Sequence, residues 1–485
     1  MQKTQKNKRL LSIIILTIIL LTALILRLYK INSPLADYHS WRQADTASVA
    51  KIFAEEGFDL LKPRYHDLSS VQSGKDNPQG LRMVEFPIYN AVFAFAYKQI
   101  GILPIEIYGR IVSIISSLAS IYVIFYLMKK EYDLKTAAIA GFSFAVLPFI
   151  VYFTRVVLPE PTAVAFLMLA IFFAYLFSYE EYKKRAIVFY FISLIFFALS
   201  LLIKPTTIFY SIVIFYLIYR RYDIFAFTRP QTYLYFITAV IPVALWRFYI
   251  LKYPEGIPAF SWLTTTVNTP RGLENIFFKP SFFYWVFFQR INNLILGGFL
   301  VFFLVYALVR TRNALVISFV LSSLAYLFTF QGGNVQHEYY QILIFPTIAI
   351  LISAGFYEYY NQTKHKIFTY PVFIVIFVFS WYFSFKLVKP YYNIPSDLIN
   401  YATIIKSFTN KDDLIITDRN GDTTLLYLSN RKGYPVFPDD FEKLRRQGYR
   451  YFATDKPEAA QSLLEKYDFF KIAFKSDKFY LLKME

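Results

Sequence analysis

The chain has 485 residues, of which 56% are hydrophobic and only 17% are charged. Soluble chains carry charge on about a quarter of their residues, so this composition indicates a multi-pass membrane protein and excludes an ordinary cytosolic enzyme. The absence of cysteine excludes disulfides, thiol catalysis and cysteine metal sites, and four histidines leave little room for a histidine-only metal cluster. The net charge of +18 comes from short basic clusters between apolar runs, which is typical of membrane topology and not of nucleic-acid binding.

Eleven apolar runs come close to the ~20 residues that cross a hydrocarbon core as a helix. They lie near residues 10–29, 111–128, 136–153, 158–178, 187–203, 206–219, 232–251, 293–309, 313–330, 340–358 and 367–387. The first run follows four basic residues and precedes no small-residue cleavage site, so we expect an uncleaved span. The sequence therefore predicts a polytopic α-helical membrane protein with about eleven spans.

Basic residues alternate between the connections of these spans. With the N-terminus inside, seventeen lysines and arginines fall on the cytoplasmic side, whereas the short outer connections hold only Arg155 and Lys204. This bias follows the positive-inside rule. It predicts a cytoplasmic (inner) membrane protein with a cytoplasmic N-terminus and an extracytoplasmic C-terminus.

Three longer segments then fall outside, namely residues 32–109, 252–292 and everything after about 388. The tail changes composition, because helix-like patterns at 396–408 and 457–467 alternate with strand-like runs at 414–417, 449–453 and 469–474. We therefore expect residues 1–390, including the outer loop 32–109 with its juxtamembrane helices, to form a transmembrane domain. Residues 391–485 are expected to form a small extracytoplasmic α/β domain.

Ionisable residues beside apolar runs gather on the predicted outer side. A charge near the bilayer centre costs ~3 kcal/mol, so such residues are candidates for function. They are Asp37, His39, Arg42, Asp45, Glu85, Arg155, Glu160, Lys204, His337 and Glu338. Carboxylates beside cations at a lipid boundary suit group transfer from an anionic lipid carrier, with a general base on the acceptor and cations on the departing phosphate.

Several of these residues also have a purely structural interpretation. Asp37 and Asp45 could begin a surface helix, and Glu160 before Pro161 could be a first-turn helix charge. Arg155 could extend its side chain to the membrane interface, and His337 could be an ordinary interfacial histidine. Lys204, at the end of seventeen apolar residues, is the least easily explained as structural.

The order of these elements resembles the GT-C superfamily of membrane glycosyltransferases, in particular the bacterial branch related to protein O-mannosyltransferases and lipid A aminoarabinose transferase. Five segments of residues 1–390 carry the resemblance: 36–46 (ADYHSWRQADT), 85–89 (EFPIY), 155–161 (RVVLPEP), 201–205 (LLIKP) and 337–340 (HEYY) before Pro346. The first is similar to the family's acidic opening of the outer loop, and the fourth to its apolar run ending in lysine.

The resemblance implies transfer of a sugar from a polyprenyl-phosphate carrier to an extracytoplasmic acceptor (a glycan, lipid or protein), with inversion at the anomeric carbon, in cell-envelope glycan biosynthesis. It implies that Asp37 or Asp45 is the base, since Arg42 stands where the family has its usual acid, and Glu160 is a further catalytic candidate. It implies phosphate contacts from Arg155, Lys204 and His337, with Arg42 as a substitute because Phe86 replaces the family's lysine. The remaining site candidates are His39, Glu85, Glu338, Tyr339 and Tyr340.

A transporter or flippase of lipid-linked sugars is the main alternative, although the repeated halves and mid-membrane polar residues of transporters are not evident. A receptor or scaffold that uses the outer tail is a weaker one. Acidic residues and His39 could bind a divalent cation, but their spacing is too scattered to predict a site. The sequence therefore leaves metal dependence, the sugar and the acceptor open.

Overall fold

A computed structural model describes residues 2–259 and 279–485, with side chains from residue 7 onward. The predicted outer segment 252–292 thus lies partly outside the described residues. The α-helices are α1 (Gln2–Leu28), α2 (Ser40–Glu56), α3 (Ile88–Ile100), α4 (Ile105–Glu131), α5 (Leu134–Val146), α6 (Pro148–Phe153), α7 (Glu160–Tyr179), α8 (Lys183–Ile203), α9 (Ser211–Tyr222), α10 (Pro230–Ile250), α11 (Pro280–Phe283), α12 (Val301–Arg310), α13 (Ala314–Thr329), α14 (Gln331–Gln336), α15 (Phe345–Gln362), α16 (Lys366–Val388), α17 (Ser396–Phe408), α18 (Thr424–Ser429), α19 (Phe441–Arg446) and α20 (Pro457–Lys466). A π-helix covers Tyr284–Ile295, and 3-10 turns cover Pro205–Tyr210, Asp223–Phe227, Pro254–Gly256, Glu338–Ile344 and Lys389–Tyr392.

The apolar helices make this a multi-pass membrane protein. Within the described residues, seven helices are long and apolar enough to cross a membrane singly: Asn7–Leu28, Ile105–Glu131, Glu160–Tyr179, Lys183–Ile203, Pro230–Ile250, Glu338–Gln362 and Lys366–Phe408. The other four predicted spans fall on shorter or broken helices, and α12 and α13 meet at a bend of 117°. The count of eleven therefore stays a prediction.

The predicted span at 136–153 is broken in two. Pro148 starts α6 and has no N–H to give to the carbonyl of Phe144 four residues earlier. The fully buried Arg27 of α1 donates to the carbonyls of Phe144 (3.2 Å) and Ala145 (2.9 Å) and to the Thr154 hydroxyl (2.9 Å). A buried guanidinium thus satisfies the backbone that the proline leaves open.

The described residues divide into two compact units. The helical unit contains residues 2–31, 110–245 and 279–390, and the mixed unit contains 32–109, 246–259 and 391–485. The outer loop 32–109, assigned above to the transmembrane domain, thus packs in the same unit as the tail. The predicted domain boundaries themselves stay a prediction.

One buried carboxylate joins several helix ends of the helical unit. Glu131, at the end of α4, accepts both N–H groups of Arg220 (2.8 and 3.0 Å), the Tyr175 hydroxyl (2.8 Å) and the Asn313 amide (2.8 Å). Those partners stand near the ends of α9 and α7 and directly before α13. The helix ends that the predicted topology places together on the inner side therefore do converge, although the orientation itself stays a prediction.

The tail folds as the small α/β domain that the sequence predicts. Five strands, β1 (Leu414–Thr417), β2 (Gly433–Tyr434), β3 (Tyr449–Thr454), β4 (Phe470–Lys475) and β5 (Tyr480–Met484), lie in the order β2-β1-β3-β5-β4. β1 pairs in parallel with β2 and β3, whereas β5 pairs antiparallel with β3 and β4. Alternate residues face two cores: Ile416, Phe452 and Leu482 pack with α19 and α20, and Ile415, Tyr451 and Leu481 pack with α17 and α18.

The edge of this sheet at β2 is covered by the outer loop. The Leu68 N–H donates to the Gly433 carbonyl (2.8 Å), and the Gly433 N–H donates to the His66 carbonyl (2.9 Å). Glycine is required at this position because a Cβ there would lie 1.8 Å from the carbonyl oxygen of Ile415. The loop therefore extends the sheet by one short bridge and protects its edge.

Candidate active site

In the helical unit, the predicted Glu160 and Lys204 meet. Pro161 sits in the first turn of α7, where its missing N–H is tolerated, and Lys204 precedes Pro205, which disfavours helix and ends α8 at Ile203. Since α7 and α8 form an antiparallel hairpin, the start of one helix lies beside the end of the other. Lys204 Nζ lies 2.6 Å from Glu160 Oε1, and the two residues are only 9% and 4% exposed. Lys204 is therefore one half of a buried ion pair, which the sequence did not indicate.

The predicted aromatic motif completes this cluster. Lys204 Nζ lies 4.9 Å from the ring centroid of Tyr340, whose carbonyl accepts the Tyr326 hydroxyl at 3.0 Å. Both tyrosines line a pocket together with Glu160 and Lys204. Its cavity volume of about 10 Å³ is that of a single water, so this pocket by itself holds no sugar ring.

The rest of the motif is ordered by stacking and by an arginine that sequence reasoning missed. The His337 ring stacks on Tyr339 at 5.4 Å, and Tyr339 stacks on Tyr340 at 4.6 Å. Arg290, in the π-helix, lies 3.5 Å from Glu338 and donates to the Val335 carbonyl at 2.5 Å. The segment around residue 337 is thereby held to the π-helix.

Arg155 is buried completely in the turn before α7. Its Nη2 donates to the Lys30 carbonyl at 3.3 Å, and its guanidinium lies 5.9 Å from the Tyr152 ring centroid. The equally buried Arg110 donates to the Ile31 carbonyl at 2.6 Å. The structural interpretation of Arg155 as a side chain reaching out to the interface is therefore wrong. Arg110 escaped the sequence analysis because it lies among ordinary apolar residues of α4.

In the mixed unit, Asp37 stands just before α2. It is 4% exposed, and its Oδ1 accepts the Gln43 amide at 2.7 Å. His39 follows with φ 57°, a left-handed conformation that is uncommon for residues other than glycine and that often marks functional sites. Tyr38 between them stacks on Tyr391 at 4.0 Å. The hydrogen bond from Gln43 and the stacking on Tyr391 thus hold the loop that carries Asp37.

Arg42 and Glu85 form an ion pair. Their side chains are 7% and 14% exposed, and Arg42 Nη2 lies 2.5 Å from Glu85 Oε1. The two predicted motifs at 36–46 and 85–89 are therefore in contact. The Arg42 guanidinium places a positive charge beside these two motifs. A positive charge is what its predicted role as a substitute phosphate contact requires.

Asp45 has structural partners that the sequence did not indicate. The sequence placed it at a helix start, which is wrong, because α2 begins at Ser40 and Asp45 lies one turn inside at 1% exposure. Its Oδ2 lies 3.0 Å from Arg82 Nη2, and its Oδ1 accepts the Thr423 hydroxyl at 2.7 Å. Asp45 therefore anchors α2 to the segment of the outer loop around Arg82 and to the tail.

Two further buried titratable groups lie nearby in the outer loop. Burial lowers the pKa of His66 to about 3, so its ring is neutral between Ser48 and Asn430. Burial raises the pKa of Asp67 to about 7, although Ser69 donates to its carboxylate. These groups sit where the loop meets β2, which points to a structural role in closing the mixed unit.

Metal dependence stays open. Across residues 2–259 and 279–485, no three histidine or acidic side chains are grouped as metal ligands would be. His39, which we named as a candidate ligand, packs on Tyr38 at 4.3 Å.

One family profile and several solved structures are similar to this chain. The family profile of dolichyl-phosphate-mannose-protein mannosyltransferases matches residues 103–246. ArnT from Cupriavidus metallidurans, solved with bound undecaprenyl phosphate, is similar with a TM-score of 0.69 at 13% identity, over 96% of this chain and 97% of that chain. A search of curated protein sequences gives no match.

A second structural relative is the archaeal oligosaccharyltransferase AglB from Archaeoglobus fulgidus, solved with an inhibitory peptide and a dolichol-phosphate. It has a TM-score of 0.59 at 12% identity, over 92% of this chain and 70% of that chain. The chain therefore has the GT-C glycosyltransferase fold and resembles ArnT along nearly its whole length. The resemblance predicted from the five sequence motifs is confirmed.

Proposed function

We propose that this protein is a glycosyltransferase that moves a sugar from a polyprenyl-phosphate carrier to an acceptor outside the cytoplasmic membrane. One observation carries the proposal: Lys204, a cation buried at the end of an apolar helix, is held beside Glu160 and over Tyr340. A buried cation at a membrane boundary is costly and marks an anion or substrate site by default.

The proposed phosphate contacts come from both units. In the helical unit, Lys204, Arg155 and His337 would contact the carrier phosphate, with Glu160 orienting Lys204. Cations there stabilise the negative charge that grows on the phosphate as it leaves. In the mixed unit, Arg42 is a further phosphate contact, and its pair with Glu85 keeps the guanidinium in one orientation.

At the anomeric carbon the reaction forms one bond and breaks one. The acceptor hydroxyl oxygen attacks the anomeric carbon of the sugar, the bond from that carbon to the phosphate oxygen breaks, and polyprenyl phosphate leaves. The hydroxyl proton passes to a carboxylate that acts as general base. Attack opposite the leaving group inverts the anomeric carbon, as the sequence resemblance implies.

We assign the base to Asp37. Asp37 stands in the loop directly before α2, two residues from the left-handed His39, and Asp45 anchors α2 through its contacts with Arg82 and Thr423. Strained residues cluster at active sites because the surrounding structure holds them in place for a task. Glu160 is then a positioning residue for Lys204.

The comparisons support the carrier class. The ArnT structure holds undecaprenyl phosphate and an AglB structure holds a dolichol-phosphate, both of which are lipid phosphates. We extend that class to this chain, and we place its reaction on the outer side because of the lysine and arginine alternation.

The test is transfer by purified full-length protein in detergent. Polyprenyl-phosphate sugars that differ in the sugar are incubated with cell-envelope extract, and release of polyprenyl phosphate is measured together with labelled product. We expect release to depend on both the extract and Asp37. Movement of intact donor across proteoliposomes without any release would instead identify a transporter.

A further inference from the structure

A groove in the mixed unit contains none of the site residues named above. The outer-loop segment around residues 68–78 forms one wall, and β2, α19 and the start of β3 form the other. Its cavity volume is about 580 Å³. Small-molecule sites have volumes of about 300–1,000 Å³, so this groove is large enough for two or three sugar rings.

The lining combines an apolar floor with a polar rim. Tyr434 and Tyr449 meet edge to face at 6.3 Å, and Leu444 is buried beside them. Burial raises the pKa of the Tyr449 hydroxyl, which therefore stays protonated and able to donate. Aromatic and aliphatic surfaces of this kind suit the C–H faces of a sugar ring, which is apolar on its faces and polar around its edge.

The rim supplies both acceptors and donors. Asp76 and Asp439 carry carboxylate acceptors, Lys443 carries three donors, and the single amide of Gln447 offers both a carbonyl acceptor and an NH2 donor. Lys443 Nζ lies 3.1 Å from Asp76, so this ion pair links the two walls of the groove. Sugar hydroxyls both donate and accept, and a mixed rim matches them better than a rim of one type.

Two observations narrow the ligand class. An extended peptide would bind by adding a strand to the neighbouring sheet edge, but residues 66–68 already cover β2. With Asp440 the rim holds three carboxylates and one ammonium group, so it repels anionic ligands.

We propose that this groove binds a saccharide that carries no negative charge, and, resting on the proposed function, that this saccharide belongs to the acceptor. The groove then gives the enzyme a second carbohydrate site besides the one for the donor. The candidate base lies outside the lining, so the groove holds the acceptor and leaves the chemistry to Asp37.

The test measures binding of three tetrasaccharides to the full-length protein in detergent by saturation-transfer NMR and calorimetry. The probes are the glucosamine tetramer (cationic), the N-acetylglucosamine tetramer (neutral) and the galacturonate tetramer (anionic). We expect at least one of the first two to bind and the third to bind at least tenfold more weakly. Failure of both uncharged and cationic probes, or equal binding of the anionic one, would overturn the proposal.

Variants locate the site. Asp439→Ala combined with Gln447→Ala removes two exposed rim groups and should weaken binding about tenfold, whereas Asp477→Ala, an exposed carboxylate outside the lining, should leave it unchanged. Equal affinities in all three proteins would place the saccharide elsewhere and refute the groove. If sugar transfer fails while groove-dependent binding persists, the proposed enzyme function falls and the binding site stands.

Discussion

The assignment of the base to Asp37 rather than Asp45 can be tested by separating chemistry from stability. Asp37→Asn keeps an oxygen to accept the Gln43 amide now 2.7 Å from Oδ1, so folding should be little affected. Removing a general base costs about a hundredfold to ten-thousandfold in rate. We therefore expect transfer to fall by that factor with unchanged donor affinity.

Asp45→Asn should behave in the opposite way. It leaves the Arg82 guanidinium, whose side chain is 9% exposed, without the carboxylate at 3.0 Å. Breaking a buried ion pair on one side costs about 3–5 kcal/mol, and the retained hydrogen bond from Thr423 keeps the expected loss near the lower end, ~3 kcal/mol. Protein that remains folded should retain most of its rate.

For each variant, the rate of single-turnover sugar transfer is measured in detergent, and the free energy of unfolding is measured separately with denaturant. Asp45→Asn combined with Arg82→Gln is the matched control, because removing both charges should recover much of the lost stability. An inactive Asp45→Asn variant with wild-type unfolding, together with an active Asp37→Asn variant, would refute the assignment and make Asp45 the base.

Three further predictions concern the Lys204–Glu160 pair, the membrane topology and the buried Asp67. Lys204→Met combined with Glu160→Gln removes the buried pair without leaving either charge alone, and should raise the KM for donor at least tenfold while the protein stays folded; an unchanged KM would exclude a phosphate contact at this position. Reporter fusions after residue 360 and at the C-terminus should report opposite sides of the membrane, and the same side for both would disprove the topology. Burial raises the pKa of Asp67 in the folded protein to about 7, above the usual 3.8, so protonation of Asp67 supports folding fully below about pH 4 and this support is lost as the pH rises to about 7. The stability of Asp67→Asn relative to wild type, measured by thermal unfolding, should therefore increase between pH 5 and pH 8. An equal difference in stability at both pH values would contradict this reasoning.

Several helices and strands of the tail could be predicted because they depend on the sequence pattern of their own residues. The helix expected at 396–408 is α17 with the same bounds, and strands lie where the tail alternates. Pro148 also gave a local signal for the broken helix, which the span count overlooked because composition alone was considered.

The partners of the polar residues could not be predicted in the same way. Asp45 meets Thr423 across 378 positions of sequence, and Lys204 meets Glu160 across 44. No periodicity encodes such pairs, since they depend on how the elements pack. The sequence therefore identified the polar residues, but it did not indicate which of them have structural roles and which take part in the reaction.

The covered sheet edge fixes an order of events during synthesis. Residues 66–68 pair with Gly433, yet the helical residues 110–245 and 279–390 lie between them in the chain. At a translation rate of about 5–20 residues per second, the outer loop waits on the order of half a minute before its partner strand exists. During that interval His66, Asp67 and the backbone that will pair with β2 have no sheet to join. The outer loop therefore remains incomplete until the helical residues between it and β2 have been translated.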